Sequence, residues 1–363
     1  MEKELDKIKY WLSIGKNVKI GPCGFHKLLA TNVPIEDIWT ANIIKLKSLR
    51  LPEKLVSEII YARNNYNPEK VISELITNNI SAITINDEKY PDSLRQIYNP
   101  PPILYFKGNF DNKELLIGIV GSRKPTNYGK SITKDIAFEL ARTGITIVSG
   151  LAVGIDTIAH ESALAAKGRT IAILGCGLDN IYPATNKELG DRIIESGAII
   201  SEYPIGTAPL KQHFPARNRI ISGLSLGIVL TEAAESSGSL ITAGAALEQN
   251  REVFAIPGSI YNLNSIGTNN LIKNGAHLVT KACDILDELN LVAPKEIIKA
   301  RKILPRNADE KILFEILNKE PMHIDQIGKT ANLPQAKISS ILTLMEIEGK
   351  VRHLGGMIYK LNI

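Results

Sequence analysis

The sequence predicts an α/β protein, a doubly wound sheet with a small helical domain before it and a winged helix after it. Three observations carry this expectation. From about residue 79 to 289, short and nearly continuous apolar runs alternate with amphipathic stretches, the pattern of strands covered on both faces by helices. Residues 1–78 show helical periodicity with short turns. Residues 308–363 hold three helical patterns followed by a glycine-turned hairpin.

In the first segment, "VKIGPCGFHKLLA" (Val18–Ala30) sets a small-residue turn ahead of an apolar helix. It resembles a single helix-hairpin-helix or SAM-like turn, and a plain helical packing module is the equal alternative. The second segment carries six strand-like runs: "LLIGIVG", "ITIVSG", "TIAILGCG", "AIISEY", "LGIVLTEA" and "EVFAIPG". Helical patterns such as Tyr128–Arg142 and Asp156–Ala166 lie between them. In doubly wound sheets ligands sit at the carboxyl ends of the strands, and here those ends are rich in glycine, serine and glutamate. A polar stretch over residues 290–307, containing "KEIIKARKILPRN", reads as a linker. Beyond it, helices are expected at Ala308–Lys319, Ile324–Ala331 and Pro334–Glu348, and "VRHLGGMIYKL" supplies two short strands around Gly355 and Gly356.

At 363 residues, with 44% apolar and 22% charged side chains, the chain has the composition of an ordinary globular protein of two or three domains. It lacks an apolar run long enough to span a bilayer, and "MEKELDKIKYWL" is charged where a secretion signal is apolar. A cytoplasmic protein is expected. Cys23, Cys176 and Cys283 show no CxxC spacing, and the six histidines are dispersed, so neither a disulfide framework nor a metal site is expected. The net charge of +5 is unevenly placed: residues 1–114 carry +2, 115–294 carry −1 and 295–363 carry +4. A polyanion bound by the middle segment must therefore be held by a few placed cations and backbone amides.

"GIVGSRKPTNYGKS" (Gly118–Ser131) runs from a strand through a glycine turn into a helix, the usual setting for phosphate. Lys124 stands where a Walker A loop needs its first glycine, and "GCGLDN" (Gly175–Asn180) has Asn180 where a dinucleotide fingerprint needs its third. What remains is the turn Gly121-Ser122-Arg123, with free amides, a cation, and the positive end of a helix starting near Tyr128. A second stretch, "LKQHFPARNRIISGLS" (Leu210–Ser225), brings Lys211, Arg217 and Arg219 together around Phe214. Cations interleaved with a stackable ring suit an unpaired strand. The alternative is structural: both arginines pair with acids such as Glu202 or Glu232, and Phe214 is core.

From about Tyr90 to Leu289 the chain resembles the bacterial DNA-processing family called DprA or Smf. The resemblance rests on "YPDSLRQIYNPPPILYFKG", "GSRKPTNYG", "SGLAVGIDTIAH", "ILGCGLDNIYP", "SEYPIGTAPLKQHFPARNRIISGLS", "ESSGSLITAGAALEQNREVFAIPG" and "GTNNLIKNGA", in that order. It implies an extended Rossmann-like fold that binds single-stranded DNA, forms a homodimer and helps load the RecA recombinase, in transformation or recombination, without catalytic turnover or cofactor. By motif correspondence Arg123 and Lys211 hold phosphates, Phe214 lies against a base or walls the pocket, and Gly121, Ser122 and the turn Ser237, Gly238, Ser239 complete it. Arg217 and Arg219 fall in the matching "RNR", with contact and structural roles both open.

Two other functions compete. A phosphoribohydrolase of the LOG type needs a PGGxGTxxE motif, which "TEAAESSGSLITA" lacks; Glu232 and Glu235 are the available acids, and His160 reads as a helix residue satisfied by a neighbour. A duplex-binding winged helix needs a basic recognition helix, yet Pro334–Glu348 offers Lys337 against Glu346 and Glu348. Better placed for anions are Arg352 and His353 in the wing and Lys299, Arg301, Lys302 and Arg306 in the linker. Asp156 and Asp179 suggest Mg²⁺ only weakly and fit better as helix caps or turn formers.

Overall fold

The computed structural model describes residues 2–291, 307–318, 320–331, 333–347 and 350–361. They form two compact units, Met1–Leu289 and Asn290–Ile363. Most of the expected linker, including Lys299, Arg301, Lys302 and Arg306, lies outside the described residues, as does Glu348.

The first unit begins with seven helices, α1 (Glu2–Lys7), α2 (Lys9–Gly15), α3 (Gly21–Leu29), α4 (Ile35–Thr40), α5 (Ile43–Ser48), α6 (Glu53–Asn65) and α7 (Pro68–Thr77). Leu12, Phe25, Leu28, Ile38, Leu46 and Ile59 are buried at their centre, with the Trp11 and Phe25 rings stacked at 5.7 Å. Their apolar faces are continuous with the core of the sheet, so this layer and the sheet share one hydrophobic interior. Burial of that shared face, rather than the propensity of such short helices, holds the layer together.

Nine strands form the sheet: β1 (Ser81–Thr84), β2 (Ile103–Gly108), β3 (Leu116–Val120), β4 (Thr146–Ser149), β5 (Thr170–Leu174), β6 (Ala198–Ser201), β7 (Gly227–Leu230), β8 (Glu252–Ala255) and β9 (His277–Leu278). Their order is β1-β2-β6-β5-β4-β3-β7-β8-β9. All pairs from β6 to β9 are parallel, while β2 joins β6, and β1 joins β2, antiparallel. Every residue of β3 to β7 is buried, which is why those runs read as unbroken apolar stretches. All six expected runs are strands. The antiparallel edge β1–β2 and the two-residue β9 are additional.

Helices connect the strands: α8 (Asp92–Arg95), α9 (Asn127–Arg142), α10 (Ile155–Ala165), α11 (Lys187–Ser196), α12 (His213–Leu224), α13 (Ser239–Glu248), α14 (Ile266–Lys273) and α15 (Ala282–Glu288). Through α9, α10 and α11 the chain steps from β3 to β6 in one direction. It then crosses back through α12 to lay β7 on the far side of β3. The strand order therefore reverses between β3 and β7, and the crevice beyond their carboxyl ends is where such sheets place ligands.

The second unit packs α16 (Ala308–Leu317), α17 (Ile324–Ala331) and α18 (Gln335–Ile347) against a three-stranded sheet of β10 (Met322–His323), β12 (Ile358–Leu361) and β11 (Val351–His353). Leu313, Ile327, Ile338, Leu342 and Met345 make its core. This is the expected winged helix, with β10 added to the two expected strands. A buried Lys350–Glu310 ion pair at 2.7 Å ties the start of the wing to α16.

Candidate nucleic-acid interface

The loop after β3 carries Gly121, Ser122 and Arg123 across the strand ends. The Ser122 hydroxyl accepts the Lys124 amide at 3.1 Å, and its carbonyl accepts the Ile155 amide at 3.1 Å. The second bond ties the turn to α10 across Gly154. A Cβ built on Gly154, whose φ is +92°, would lie 2.5 Å from the Ser122 carbonyl oxygen and 2.9 Å from the Arg123 Cα, so only glycine permits this contact. Arg123 is exposed.

The amino end of α9, expected to face phosphate, is occupied from within. Thr126 caps the helix by accepting the Gly129 amide at 3.1 Å. Glu232, 1% exposed, reaches over from the end of β7 to accept the Thr126 amide at 2.8 Å and the Thr126 hydroxyl at 2.5 Å. A carboxylate already complements the positive end of the helix dipole there. The side of the turn left open by this carboxylate is the one on which Arg123 meets Phe214.

On that side Arg123 stands over the Phe214 ring at 5.9 Å, within cation–π range. Phe214, half-buried at the start of α12, lies 5.6 Å from the exposed Tyr182 ring and packs over Gly175 beyond β5. The result is a rim of one guanidinium and two rings spanning the ends of β3 and β5. Lys211 is exposed two residues before α12, and like Arg123 it has no acidic partner among the described residues.

Arg217 and Arg219 are placed differently. Arg217 is 4% exposed and sits under the rim, its Nη1 donating to the Gly150 carbonyl at 2.9 Å and to the Ile173 carbonyl. Burial pushes its pKa down to about 10, against the opposing pull of Asp156. Gly150 must be glycine for this seat, because a Cβ there would lie 2.4 Å from Nη2. Arg219 makes a two-pronged pair with Glu202, at 3.1 and 2.6 Å. Contact with solvent-side phosphate is thus closed to Arg217, and the Arg219 fork is already engaged.

Asp156 accepts the Gly150 and Ala152 amides at 3.1 and 3.3 Å, closing the β4–α10 loop, and burial pushes its pKa up. Asp179 accepts the Gly206 amide at 3.0 Å. Both act as turn formers. His160 is wholly buried, with Nδ1 2.7 Å from the Thr170 hydroxyl. Since that hydroxyl donates to the Ile147 carbonyl at 2.8 Å, Nδ1 carries the proton. Burial holds the His160 pKa near about 3.

Ser237, Gly238 and Ser239 open α13, with the two hydroxyls 2.8 Å apart and the Gly238 carbonyl accepting the Asn218 amide group at 3.5 Å. That bond ties the turn, which follows β7, to α12. Tyr182 and the capping role of Glu232 were missing from the sequence reading. An aromatic in the loop after a buried strand was the available signal for the first.

In the winged helix, Lys337 pairs with Asp309 at 2.7 Å. The cation of the presumed recognition helix is neutralised within its own unit, while Arg352 and His353 are exposed on the wing.

Residues 81–290 match the family described as DNA recombination-mediator protein A, and residues 299–357 match the DprA winged helix domain. The chain is 37% identical over 389 residues to protein Smf of Synechocystis, covering 97% of this chain and 98% of that protein. Among solved structures, DNA processing protein A from Streptococcus pneumoniae superposes with a TM-score of 0.68 at 37% identity, covering 77% of this chain and 97% of the other. A Helicobacter pylori DNA processing protein A, solved for its single-stranded DNA binding mode, gives a TM-score of 0.53 at 35% identity, covering 58% and 95%.

Proposed function

The chain belongs to the DNA recombination-mediator protein A family, and from that premise we infer that it binds single-stranded DNA along the ends of β3 and β5. The observation that carries the reading is the Arg123–Phe214 pair, an exposed cation set over a stackable ring with no competing acid among the described residues. A phosphate on Arg123 and Lys211, with a base against Phe214, uses both halves of a nucleotide and reads no base edge. The amides of Gly121 and Ser122 and the Ser237-Gly238-Ser239 turn complete the contact. Arg217 and Arg219 hold the rim in shape from below.

The protein acts without catalytic turnover in this reading, because of the candidate groups only the exposed Glu235 is left open and no nucleophile or second acid is hydrogen-bonded to it among the described residues. Glu232 is consumed in capping α9, and His160 is sealed from the cleft. Among the described residues no helix is long and apolar enough to cross a membrane. A cytoplasmic homodimer that protects incoming or recombinogenic strands and helps load RecA fits the family. We assign residues 1–78 as the helical domain, 79–289 as the strand-binding domain, 290–307 as linker and 308–363 as the winged helix.

Titrating the purified protein with labelled single-stranded and duplex oligonucleotides across a salt series tests this. A preference for the single strand is expected, with a logarithmic salt slope reflecting roughly two ion contacts. Equal affinity for duplex, or a slope of many ion pairs, contradicts it.

A further inference from the structure

Between the helical layer and the sheet lies a cavity of about 170 Å³. It is lined by the Phe25 and Tyr203 rings, by Ala216 of α12, and by the Glu202–Arg219 pair. Tyr105 of β2 also lines it. That residue is 3% exposed, and its hydroxyl has no hydrogen-bond partner among the described residues. This oxygen is not among the sealed, unpartnered polar atoms, so it faces accessible space in which a ligand can meet it. The hydroxyl, the carboxylate and the two rings converge on one small volume, the arrangement by which proteins hold a planar heterocycle.

Size narrows the occupant. An apolar cavity of about 150 Å³ accepts benzene, so this one suits a single six-membered ring. Position narrows it further. Tyr203 stacks on His213 at 4.2 Å and 23°, and His213 precedes Phe214 at the start of α12. Phe214 and Ala216, two residues apart, lie on opposite sides of that helix end, one at the rim and one at the cavity, and Lys211 precedes the helix by two residues. A strand crossing the roughly 10 Å width of a helix at Lys211 brings its next bases to the cavity mouth, where Ala216 is exposed.

We propose that the cavity receives one unstacked pyrimidine base of the strand held at Arg123 and Lys211. Tyr105 donates to a ring carbonyl, and Glu202, each of whose oxygens retains a lone pair beyond its bond to Arg219, accepts from the base. The inference rests on the single-strand reading and adds to it a modest preference for pyrimidines.

Two variants test it in the full chain. Tyr105→Phe removes the hydroxyl and keeps the ring, and Ala216→Leu fills the mouth from an exposed helix position. Affinities are measured for oligothymidylate of about twenty nucleotides, for the adenine oligomer of the same length, and for an abasic strand. The natural protein is expected to favour thymidylate over the adenine oligomer by about 5- to 10-fold, and each variant to lose that margin with abasic affinity unchanged, while the share of the thymidylate–abasic gap due to stacking on Phe214 persists. A margin that survives in both folded variants overturns the cavity and leaves single-strand binding intact. Should Ala216→Leu fail to fold, Tyr105→Phe decides alone. Thymidine that binds the natural protein but not Ala216→Leu, with oligothymidylate indifferent to the variant, would show a free nucleoside site and sink the strand-base assignment. Absence of binding to all three oligomers by the natural protein defeats the single-strand reading and this inference together.

Discussion

Glu232, carried past the end of β7, accepts both the amide and the hydroxyl of Thr126 ahead of the helix that follows β3, at 2.8 and 2.5 Å. The bond pair crosses the point where the strand order reverses, so the crevice that binds nucleotides in related sheets is filled by the protein's own carboxylate. Glu232→Ala leaves a part-buried amide and hydroxyl proton without their acceptor and is expected to cost about 1–2 kcal/mol in urea unfolding, with Glu232→Gln costing less. Inorganic phosphate should raise the melting temperature of Glu232→Ala and leave the natural protein unmoved.

Arg123 and Lys211 are exposed and have no acidic partner among the described residues, so reversing either charge should leave the fold alone. Arg123→Glu and Lys211→Glu are expected to abolish oligonucleotide retention in a gel shift while melting within about 0.5 kcal/mol of the natural protein. Neutral replacement of one of them should lower the salt slope by about 1.

Arg217 makes the contrasting case. Its replacement by Met strands two carbonyls and leaves Asp156 buried without its cation, at an expected cost of about 3 kcal/mol or more. Binding by Arg217→Met should fail in proportion to unfolding, which parallel circular dichroism and binding curves will show.

His160 sets an acid limit. Its folded pKa is depressed to about 3 while the unfolded side chain titrates near 6.5, so only the unfolded state gains a proton between those values. Stability is therefore intact above pH about 6.5 and falls by up to about 1.4 kcal/mol per unit as pH drops toward 3. Urea midpoints from pH 7 to 5 should fall in the natural protein, and this share of the fall should vanish in His160→Phe.

Removing residues 295–363 should leave single-strand affinity mostly in place, because Lys337 is paired with Asp309 and the strand-end rim belongs wholly to the first unit. Filter binding of the truncated chain checks this, and complete loss would assign the contact to the winged helix.

Strands β3 to β8 were legible because burial on both faces writes them as apolar runs. β9 has two residues, too few to set a period, β1 reads Ser-Ala-Ile-Thr with a polar residue at each end, and β2 passes from buried to half-buried residues and ends on a glycine, which blurs its pattern. At the site, Arg123, Lys211 and Phe214 were legible as residue types in a telling order. Whether a cation faces water or a carbonyl is a tertiary fact, however, and Arg217 and Arg219 separate from Lys211 only once β4, β5 and β6 are assembled around them. The Glu232–Thr126 bridge joins positions 106 residues apart, and nothing local announces it.

Gly154 leaves no space for a methyl group between its own loop and the Ser122–Arg123 backbone. The two segments are therefore one casting, and the aim of the Arg123 side chain is decided thirty-one residues downstream. Across descendants of this chain, drift at either position should be tolerated only when the other moves with it.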